Sequence, residues 1–174
     1  MPLDTAETRA KPSFQIYRGK EAPPFSEIDV MAYDGVTSEL EQRFAALGEA
    51  GVDEGQTVKL LFAGAGMSLT YAWFKSGFPL PRHSHDADCL YYIIAGSLTL
   101  GTETLGKGDG FFVPSDAAYS YTPGPDGVEV LEFRTAETFN IRFLAGNPAF
   151  WAKAMETVKS ERPGWGTQTP PSGT

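Results

Sequence analysis

The sequence predicts an all-β protein, an antiparallel barrel or sandwich with a short helix on either side. Three observations support this fold class. About eight short segments rich in β-branched and aromatic residues follow one another between residues 58 and 144. The chain has 19 Gly and 13 Pro, and this content indicates many tight turns between the segments. Two further segments, one before and one after the strands, carry the start signals of helices.

The segment TSELEQRFAALGEAG (37–51) predicts the first helix. Ser38 followed by Glu41 makes a capping box at its start. Gly48 or Gly51 is expected to end it, because glycine adopts the left-handed conformation common after a helix. The apolar stripe of this helix consists of Leu40, Phe44 and Leu47.

The strand region follows, with alternating or continuous apolar residues between turn signals. Within it, AGSLTLGTETLGKGDG (95–110) indicates a hairpin with turn residues at both ends. The predicted strands are 58–62, 68–75, 89–94, 97–101, 110–114, 118–122, 128–133 and 140–144.

The segment NPAFWAKAMETVKSE (147–161) predicts the second helix, with Asn147 as its N-cap and Pro148 in its first turn. The remaining tail is rich in Pro, Gly and Thr, which indicates either disorder or an arm laid on a neighbouring molecule.

The chain divides into three predicted parts. Residues 1–57 form an N-terminal arm and the short helix, and we expect them to pack on the barrel or to be exchanged in a dimer. Within them residues 1–24 are polar and contain proline, which indicates an extended arm, part of it disordered. Residues 58–145 form the barrel, and residues 146–174 form the C-terminal helix and a flexible tail.

Composition excludes several classes of function. With 174 residues the chain is expected to form one domain. Its net charge of -8 argues against binding to nucleic acid or to anionic membranes. One cysteine cannot form an internal disulfide, and no signal peptide or membrane span is visible, so we expect a cytoplasmic protein. Exposed sheet edges favour a homodimer.

The stretch GFPLPRHSHDADCLYYIIAGSL (77–98) contains both histidines of the chain and its only cysteine. Its framework residues, at fixed spacings, are Gly77, His83, His85, Cys89 and Gly96. This pattern resembles the first motif of the cupin superfamily, in which two His are followed by a Glu and a Gly. Every spacing agrees, but Cys89 stands where cupins usually carry Glu.

A second frame follows. Gly108 and Asp109 open it, Pro114 comes five residues after Asp109, and Tyr119 comes five residues after Pro114. This resembles the second cupin motif, with Tyr119 in place of the usual His. The resemblance covers about residues 68–133 and implies an antiparallel jelly-roll β-barrel of the cupin type.

The resemblance implies a metal site inside the barrel. We expect His83 and His85 to hold one divalent transition metal, with Zn or Fe favoured and Ni or Mn as alternatives. Cys89 shares their strand parity, so it either completes a His₂Cys site through its thiolate or is a small buried residue. Tyr119 either ligates through its phenolate, hydrogen-bonds a bound molecule or lines the pocket. Cys89 and Tyr119 are the candidate catalytic residues.

Other polar residues have two interpretations each. Asp86 and Asp88 are expected to be solvated turn acids, although either could replace the missing Glu. Arg82 is expected at the surface, with the pocket mouth as the alternative. Glu132 and Arg134 are expected on the outer face of their strand, although inward they would orient a substrate. The predicted substrate-binding residues are Tyr91, Ile93, Phe111, Val113 and Tyr121.

The resulting functional hypothesis is a metal-binding cupin enzyme that acts on a small organic molecule, of the dioxygenase, isomerase or lyase type. The alternative is a non-catalytic cupin that binds or senses a small molecule with a degenerate metal site. The two altered ligand positions favour the alternative, whereas the retention of both histidines favours the enzyme.

Overall fold

The computed structural model describes residues 12–173. Over this range the chain forms nine strands, two α-helices and three short 3-10 helices. The strands are β1 Met31–Asp34, β2 Gln56–Gly64, β3 Met67–Phe74, β4 His83–Ser84, β5 Cys89–Leu100, β6 Glu103–Gly106, β7 Gly110–Val113, β8 Thr122–Arg134 and β9 Phe139–Phe143. The α-helices are α1 Ser38–Glu49 and α2 Pro148–Trp165, and the 3-10 helices are Gly19–Glu21, Phe25–Glu27 and Val52–Gly55.

The strands form two sheets, in agreement with the predicted jelly-roll. A six-stranded sheet has the order β2-β3-β8-β5-β6, with β7 also paired to β5. A three-stranded sheet has the order β1-β9-β4. Every pair is antiparallel except β1 with β9. Among the described residues the two sheets are not joined into one closed ladder, so the fold is a sandwich with helices at its ends.

Most predicted strands are present. The segments 89–94 and 97–101 join into the single strand β5, which continues past Gly96 because this glycine takes a positive φ of 75°. The predicted strand 118–122 is wrong. Thr122 begins β8 and pairs with Thr99, but within residues 118–121 only Tyr119 pairs, in an isolated bridge with His83. The turn at Pro114–Ala117 places this short segment opposite β4, which is itself only two residues long.

The first helix begins one residue earlier than its capping box indicates. Thr37 is the N-cap, and its hydroxyl accepts a hydrogen bond of 3.3 Å from the amide of Leu40. Ser38 is already helical, so the predicted cap at that position is wrong. Thr and Ser cap helices similarly well, and the sequence alone does not separate adjacent candidates. The helix ends before Gly51, which has a φ of 89°.

The second helix begins as predicted and continues further. The Asn147 side chain accepts a hydrogen bond of 3.0 Å from the amide of Ala149, and Pro148 follows it. The helix ends only at Trp165, which is fully buried and donates through Nε1 to the carbonyl of Ser76 over 3.0 Å. The burial of this indole extends the helix beyond residue 161.

The C-terminal tail was predicted to be either disordered or laid on a neighbouring molecule, but residues 162–173 are ordered and contact their own chain. Gln168 accepts from the amide of Ser76 over 3.0 Å, so the tail is fastened to the loop after β3. Further on, Ser172 donates to the buried carboxylate of Glu129 on β8 through its amide, over 2.6 Å. The tail therefore packs on its own domain, because it supplies partners to polar groups of the sheet.

The predicted N-terminal arm is described only in part, since residues 1–11 lie outside the described range. Residues 12–18 are exposed and have no regular secondary structure. At the end of the arm Pro24 bridges to Lys59, and the carbonyl of Pro23 accepts from the amide of Leu60 over 3.1 Å. This end of the arm therefore lies along β2.

Candidate functional site

The two histidines lie inside the fold. His83 pairs with Tyr119 through two backbone hydrogen bonds of 2.9 and 3.0 Å, and β4 pairs with β9. Only 5% of His83 and 6% of His85 is exposed. Their ring centres are 5.1 Å apart. The ring of Tyr119 lies 4.5 Å from that of His83 and 6.3 Å from that of His85.

Each imidazole is fixed by a backbone carbonyl. Nδ1 of His83 lies 2.7 Å from the carbonyl oxygen of Pro81, and Nδ1 of His85 lies 2.6 Å from that of Asn140. A carbonyl can only accept, so Nδ1 carries the proton and Nε2 has the free lone pair. No hydrogen bond to either Nε2 is present among residues 12–173.

The two imidazoles are neutral at physiological pH. Burial lowers the pKa of His83, and burial together with the nearby Arg134 charge lowers the pKa of His85 to about 3. Two neutral Nε2 atoms are thus available to a metal ion or to a ligand without loss of a proton.

Cys89 lies on the inner face of β5, as its strand parity predicts. Cys89, Tyr91 and Ile93 are buried, whereas Leu90 and Tyr92 between them are 54% and 51% exposed. Burial raises the pKa of the Cys89 thiol to about 12, so the free protein holds it as a thiol. Among the described residues no three His, Cys, Asp or Glu side chains form a cluster that could hold a metal. The His₂Cys site therefore stays a prediction.

Tyr119 faces the same interior. Its hydroxyl shares a short hydrogen bond with the hydroxyl of Tyr91. Burial raises the pKa of Tyr119, and the charge of Glu132 raises it further, so this side chain is a phenol rather than a phenolate. The Tyr91–Tyr119 pair can pass a proton between its two hydroxyl oxygens.

The expectation that Glu132 and Arg134 lie on the outer face of β8 is wrong. They are 7% and 2% exposed, and Arg134 Nη2 donates to Glu132 Oε2 over 2.6 Å. Arg134 is the register partner of Cys89, and Glu132 is that of Tyr91. Burial lowers the pKa of Arg134, but Glu132 outweighs this effect and the net pKa is raised. The pair is a charged centre of the interior.

The sequence singled out this pair but did not favour its inward orientation. The segment VEVLEFR (128–134) places apolar Leu131 and Phe133 on one parity and the charged pair on the other, which suggests that the charges face solvent. The register with β5 and β3 reverses this assignment, because Cys89 and Ser68 are the inward neighbours of Arg134. Phe133 is consequently 40% exposed.

Two buried polar atoms of this interior have no hydrogen-bond partner among the described residues. They are Nε of Arg134 and Oγ of Ser68, which lie on neighbouring strands at paired positions. Arg134 Nη1 makes only a long bond of 3.3 Å to Thr70. Unpaired buried donors are costly, and a bound ligand is one way in which proteins satisfy them.

The acidic residues near the histidines support the backbone instead of entering the interior. Asp86 accepts from the amide of Asn140 over 2.7 Å, and Asp88 accepts from the amide of Ser115 over 2.8 Å. Asp86 is exposed and Asp88 half-buried, so both are turn acids, as expected. Arg82 is exposed.

The predicted substrate-binding residues belong to the apolar core. Tyr91 stacks on Phe111 with ring centres 4.4 Å apart and an interplanar angle of 6°. Ile93 and Tyr121 are buried, and Val113 is partly buried beside them. Two cavities, of about 500 and 160 Å³, lie elsewhere, beside the C-terminal tail and at the start of α1. Contact of this set with a substrate therefore stays a prediction.

Comparison with protein-family models and with curated proteins finds no match. Solved structures do match. A protein of unknown function with a cupin-like fold from Ralstonia eutropha is 16% identical, with a TM-score of 0.50 over 87% of this chain and 90% of that one. The polyketide cyclase RemF from Streptomyces resistomycificus is 19% identical, with a TM-score of 0.50 over 61% of this chain and 82% of that one. The chain has the cupin fold. At these identities the likeness concerns the fold.

The glycine and aspartate positions of the two cupin-like motifs have backbone roles in this chain. The glycines Gly77, Gly96 and Gly108 have positive φ values of 61°, 75° and 92°. A Cβ at Gly96 would lie 2.1 Å from the carbonyl oxygen of Gly127. Asp109 accepts from the amide of Gly106 over 2.8 Å and closes the turn before β7. These roles do not depend on the ligand positions, so the frame remains although Cys89 and Tyr119 replace the usual ligands.

Among the described residues, no helix is both long and apolar enough to cross a membrane.

Proposed function

We propose that the interior of this cupin fold is a small-molecule site at which His83 and His85 hold one divalent transition metal, and that the protein is an enzyme. The observation that carries the proposal is the pair of neutral Nε2 atoms without partners, each on a ring held by a carbonyl through Nδ1. Metal-ligating histidines in proteins have the same arrangement.

The spacing of the rings supports one shared ion. Two imidazoles that ligate one ion through tetrahedral geometry have ring centres about 5 Å apart, and the observed separation is 5.1 Å. Neutral imidazole suits Zn or Fe in particular. When bound, such an ion would polarise a substrate oxygen or support oxygen chemistry, depending on its identity.

We propose Cys89 or Tyr119 as a third donor. Cys89 would have to move towards the histidines, because no three His, Cys, Asp or Glu side chains of the described residues form a group that could hold a metal. A metal would lower the pKa of the Cys89 thiol and so make it a ligand. Tyr119 is the other candidate, because the centre of its ring lies 4.5 Å from that of His83. Since its hydroxyl is paired with that of Tyr91, we propose that Tyr119 holds or transfers a proton at the substrate.

The buried Arg134 and Glu132 favour a substrate that carries a polar group. Arg134 keeps a donor, Nε, without a protein partner, and Ser68 Oγ lies at the paired position. An oxygen of a small organic molecule would satisfy both groups. Tyr91, Phe111 and Tyr121 would then face its apolar part. The reaction is of the isomerase, lyase or dioxygenase type, and the cyclase RemF illustrates an enzyme of this fold.

One observation favours a non-catalytic binding protein instead. Among the described residues the histidines are not joined by a third His, Cys, Asp or Glu. A two-histidine site without further protein ligands would hold metal weakly, and the interior would then bind a small molecule through Arg134 and the aromatic side chains alone.

Titration with Co(II), followed by absorption spectroscopy and calorimetry, tests the proposal. The account predicts one Co(II) per chain in the wild type and none in His83→Ala/His85→Ala. Ser84→Ala is the matched control, because Ser84 is equally buried between the two histidines, and it should bind like the wild type. A thiolate-to-cobalt charge-transfer band that disappears in Cys89→Ser would identify sulfur as a ligand. Equal binding in the double variant would refute the site.

A further inference from the structure

One edge of the Arg134 guanidinium has no hydrogen-bond partner among residues 12–173. The central carbon of the group lies 4.1 Å from the ring centre of Phe139, so an aromatic ring covers one of its faces. The N–H donors point outward in the plane of the group. Nη2 donates to Glu132 over 2.6 Å and Nη1 donates to Thr70 over 3.3 Å, whereas Nε has no partner. The Nε edge is therefore the one to which a bound molecule would present an acceptor.

A second buried group without a partner lies on the neighbouring strand. Ser68 is the register partner of Arg134 on β3, and none of its surface is exposed. Its Oγ makes no hydrogen bond to a described residue. Arg134 can only donate, and the Ser68 hydroxyl has one proton to donate as well. A group with two acceptor oxygens, such as a carboxylate, would satisfy both.

The Arg134 and Ser68 donors belong to the same interior as the histidines. The ring of Phe139 that covers Arg134 has its centre 5.4 Å from that of His85, so one aromatic ring lies between the guanidinium and the imidazole. Cys89 is the register partner of Arg134 on the other side, on β5. A molecule bound at Arg134 would therefore lie next to the proposed metal site.

The charges of the interior indicate that the bound group is an anion. Glu132 and Arg134 cancel each other, and the two histidines are neutral. A divalent ion at His83 and His85 would add two positive charges, of which a thiolate at Cys89 would balance one. An uncompensated charge in a buried site is costly. A carboxylate would bring the total to zero, whereas a neutral carbonyl or amide would leave one positive charge.

We propose that the substrate is a small carboxylic acid whose carboxylate accepts from Arg134 Nε and Ser68 Oγ; this inference rests on the proposed function, because the metal supplies the charge that the carboxylate balances. The substrate then provides the negative charge of the Glu in the cupin motif, whose position Cys89 occupies here. Binding of the metal and binding of the acid consequently strengthen each other, and the coupling is reciprocal.

Calorimetric titration with Co(II) in the presence of propionate or of propionamide tests this coupling. The two probes are nearly the same in size and shape, but only propionate carries a charge. Millimolar propionate should lower the Co(II) dissociation constant of the wild type at least about tenfold, and propionamide should leave it unchanged. Association of propionate with free Co(II) would act in the opposite direction, so it cannot imitate the expected result.

Ser68→Ala removes one of the two donors and should abolish most of the propionate effect. The variant should still bind Co(II) without propionate, because the histidines are unchanged. It should also be folded, since the hydroxyl that it loses has no partner among the described residues. Ser84→Ala is the matched control, because Ser84 is buried as well but alternates with the inward-facing histidines along the chain.

Glu132→Met/Arg134→Met removes the guanidinium together with its charge partner and should abolish the propionate effect completely. Arg162→Met is the matched control, because Arg162 also pairs with a glutamate over 2.6 Å but lies at the surface. Circular dichroism checks that each variant is folded, and Ser68→Ala remains as the test if the double variant does not fold.

The outcomes separate this proposal from the metal site. Equal Co(II) binding with propionate and with propionamide would overturn the carboxylate proposal and leave the metal site standing, and so would a propionate effect that persists in the folded variants. If the wild type binds no Co(II), saturation-transfer NMR of the probes with metal-free protein decides. A propionate signal that exceeds the propionamide signal and is lost in Ser68→Ala would support the carboxylate site without the metal. Equal signals, or none, would overturn both.

Discussion

The buried ion pair of Glu132 and Arg134 makes the sharpest prediction for stability. The side chains are 9% and 3% exposed, and Glu132 Oε2 is the only charged partner of Arg134 in the described hydrogen bonds. Glu132→Met would leave the guanidinium with a single long bond to Thr70, because its Nε is already unpaired. Removal of one partner from a buried pair costs about 3–5 kcal/mol.

Urea denaturation measures this loss. With a slope of about 2 kcal/mol per molar urea, a loss of about 4 kcal/mol lowers the unfolding midpoint by about 2 M. The double variant Glu132→Met/Arg134→Met leaves no uncompensated charge at this site, so it should recover most of the lost stability. The surface pair of Arg162 and Glu54 has the same distance of 2.6 Å but is about half exposed, so Glu54→Met should cost far less.

The double variant decides whether the reasoning holds. If it is as unstable as Glu132→Met, the loss comes from packing and the argument from an uncompensated charge is refuted. If Glu132→Met is as stable as the wild type, the pair is solvated in solution and does not form a charged centre of the interior.

Three further predictions concern the histidines, the tail and the cysteine. In metal-free protein the folded pKa of His85 is about 3, below the unfolded value of about 6.5. The free energy of unfolding should therefore fall as the pH falls from 6.5 towards 3, by up to about 1.4 kcal/mol per pH unit. Urea denaturation at pH 7 and 5 should show a smaller fall for His85→Gln than for the wild type, and an equal fall would contradict the low pKa of His85. Trp165→Ala should destabilise the fold by about 3–5 kcal/mol in the same assay, because the indole is fully buried, whereas an effect below about 1 kcal/mol would mean that the end of α2 is not docked. Cys89 should be alkylated by iodoacetamide on the order of a thousandfold faster in urea than in the native state, because burial raises the pKa of its thiol to about 12, and comparable rates would contradict its burial.

The strands were predictable because their local patterns agree with their final environment. Alternation in Cys89–Ile93 placed three side chains inward and two outward, as the structure has them. The two-residue strand β4 was not predictable, because it depends on pairing with β9, far along the chain. Tyr119 was assigned to a strand for the converse reason, since its aromatic neighbourhood favours a strand but only one bridge forms.

The candidate site was predictable to the extent that it follows from local spacing. His83 and His85 were identified from the frame, and strand parity placed Cys89 on the inner face of its strand, where the structure has it. The inward orientation of Glu132 and Arg134 could not be predicted, because it is set by the register of β8 with two other strands. Sequence pattern alone favoured the outer face, since charged residues are usually solvated.

Metal content of the purified protein without an affinity tag tests the central claim most directly. Plasma mass spectrometry of the wild type, after reconstitution with Zn or Fe if needed, should give close to one metal ion per chain, because two buried neutral imidazoles lie with their ring centres 5.1 Å apart. His83→Ala/His85→Ala should contain none while circular dichroism still shows a folded sheet protein, and Ser84→Ala should match the wild type. A wild type that holds no metal even after reconstitution, or a double variant that retains it, would contradict the account.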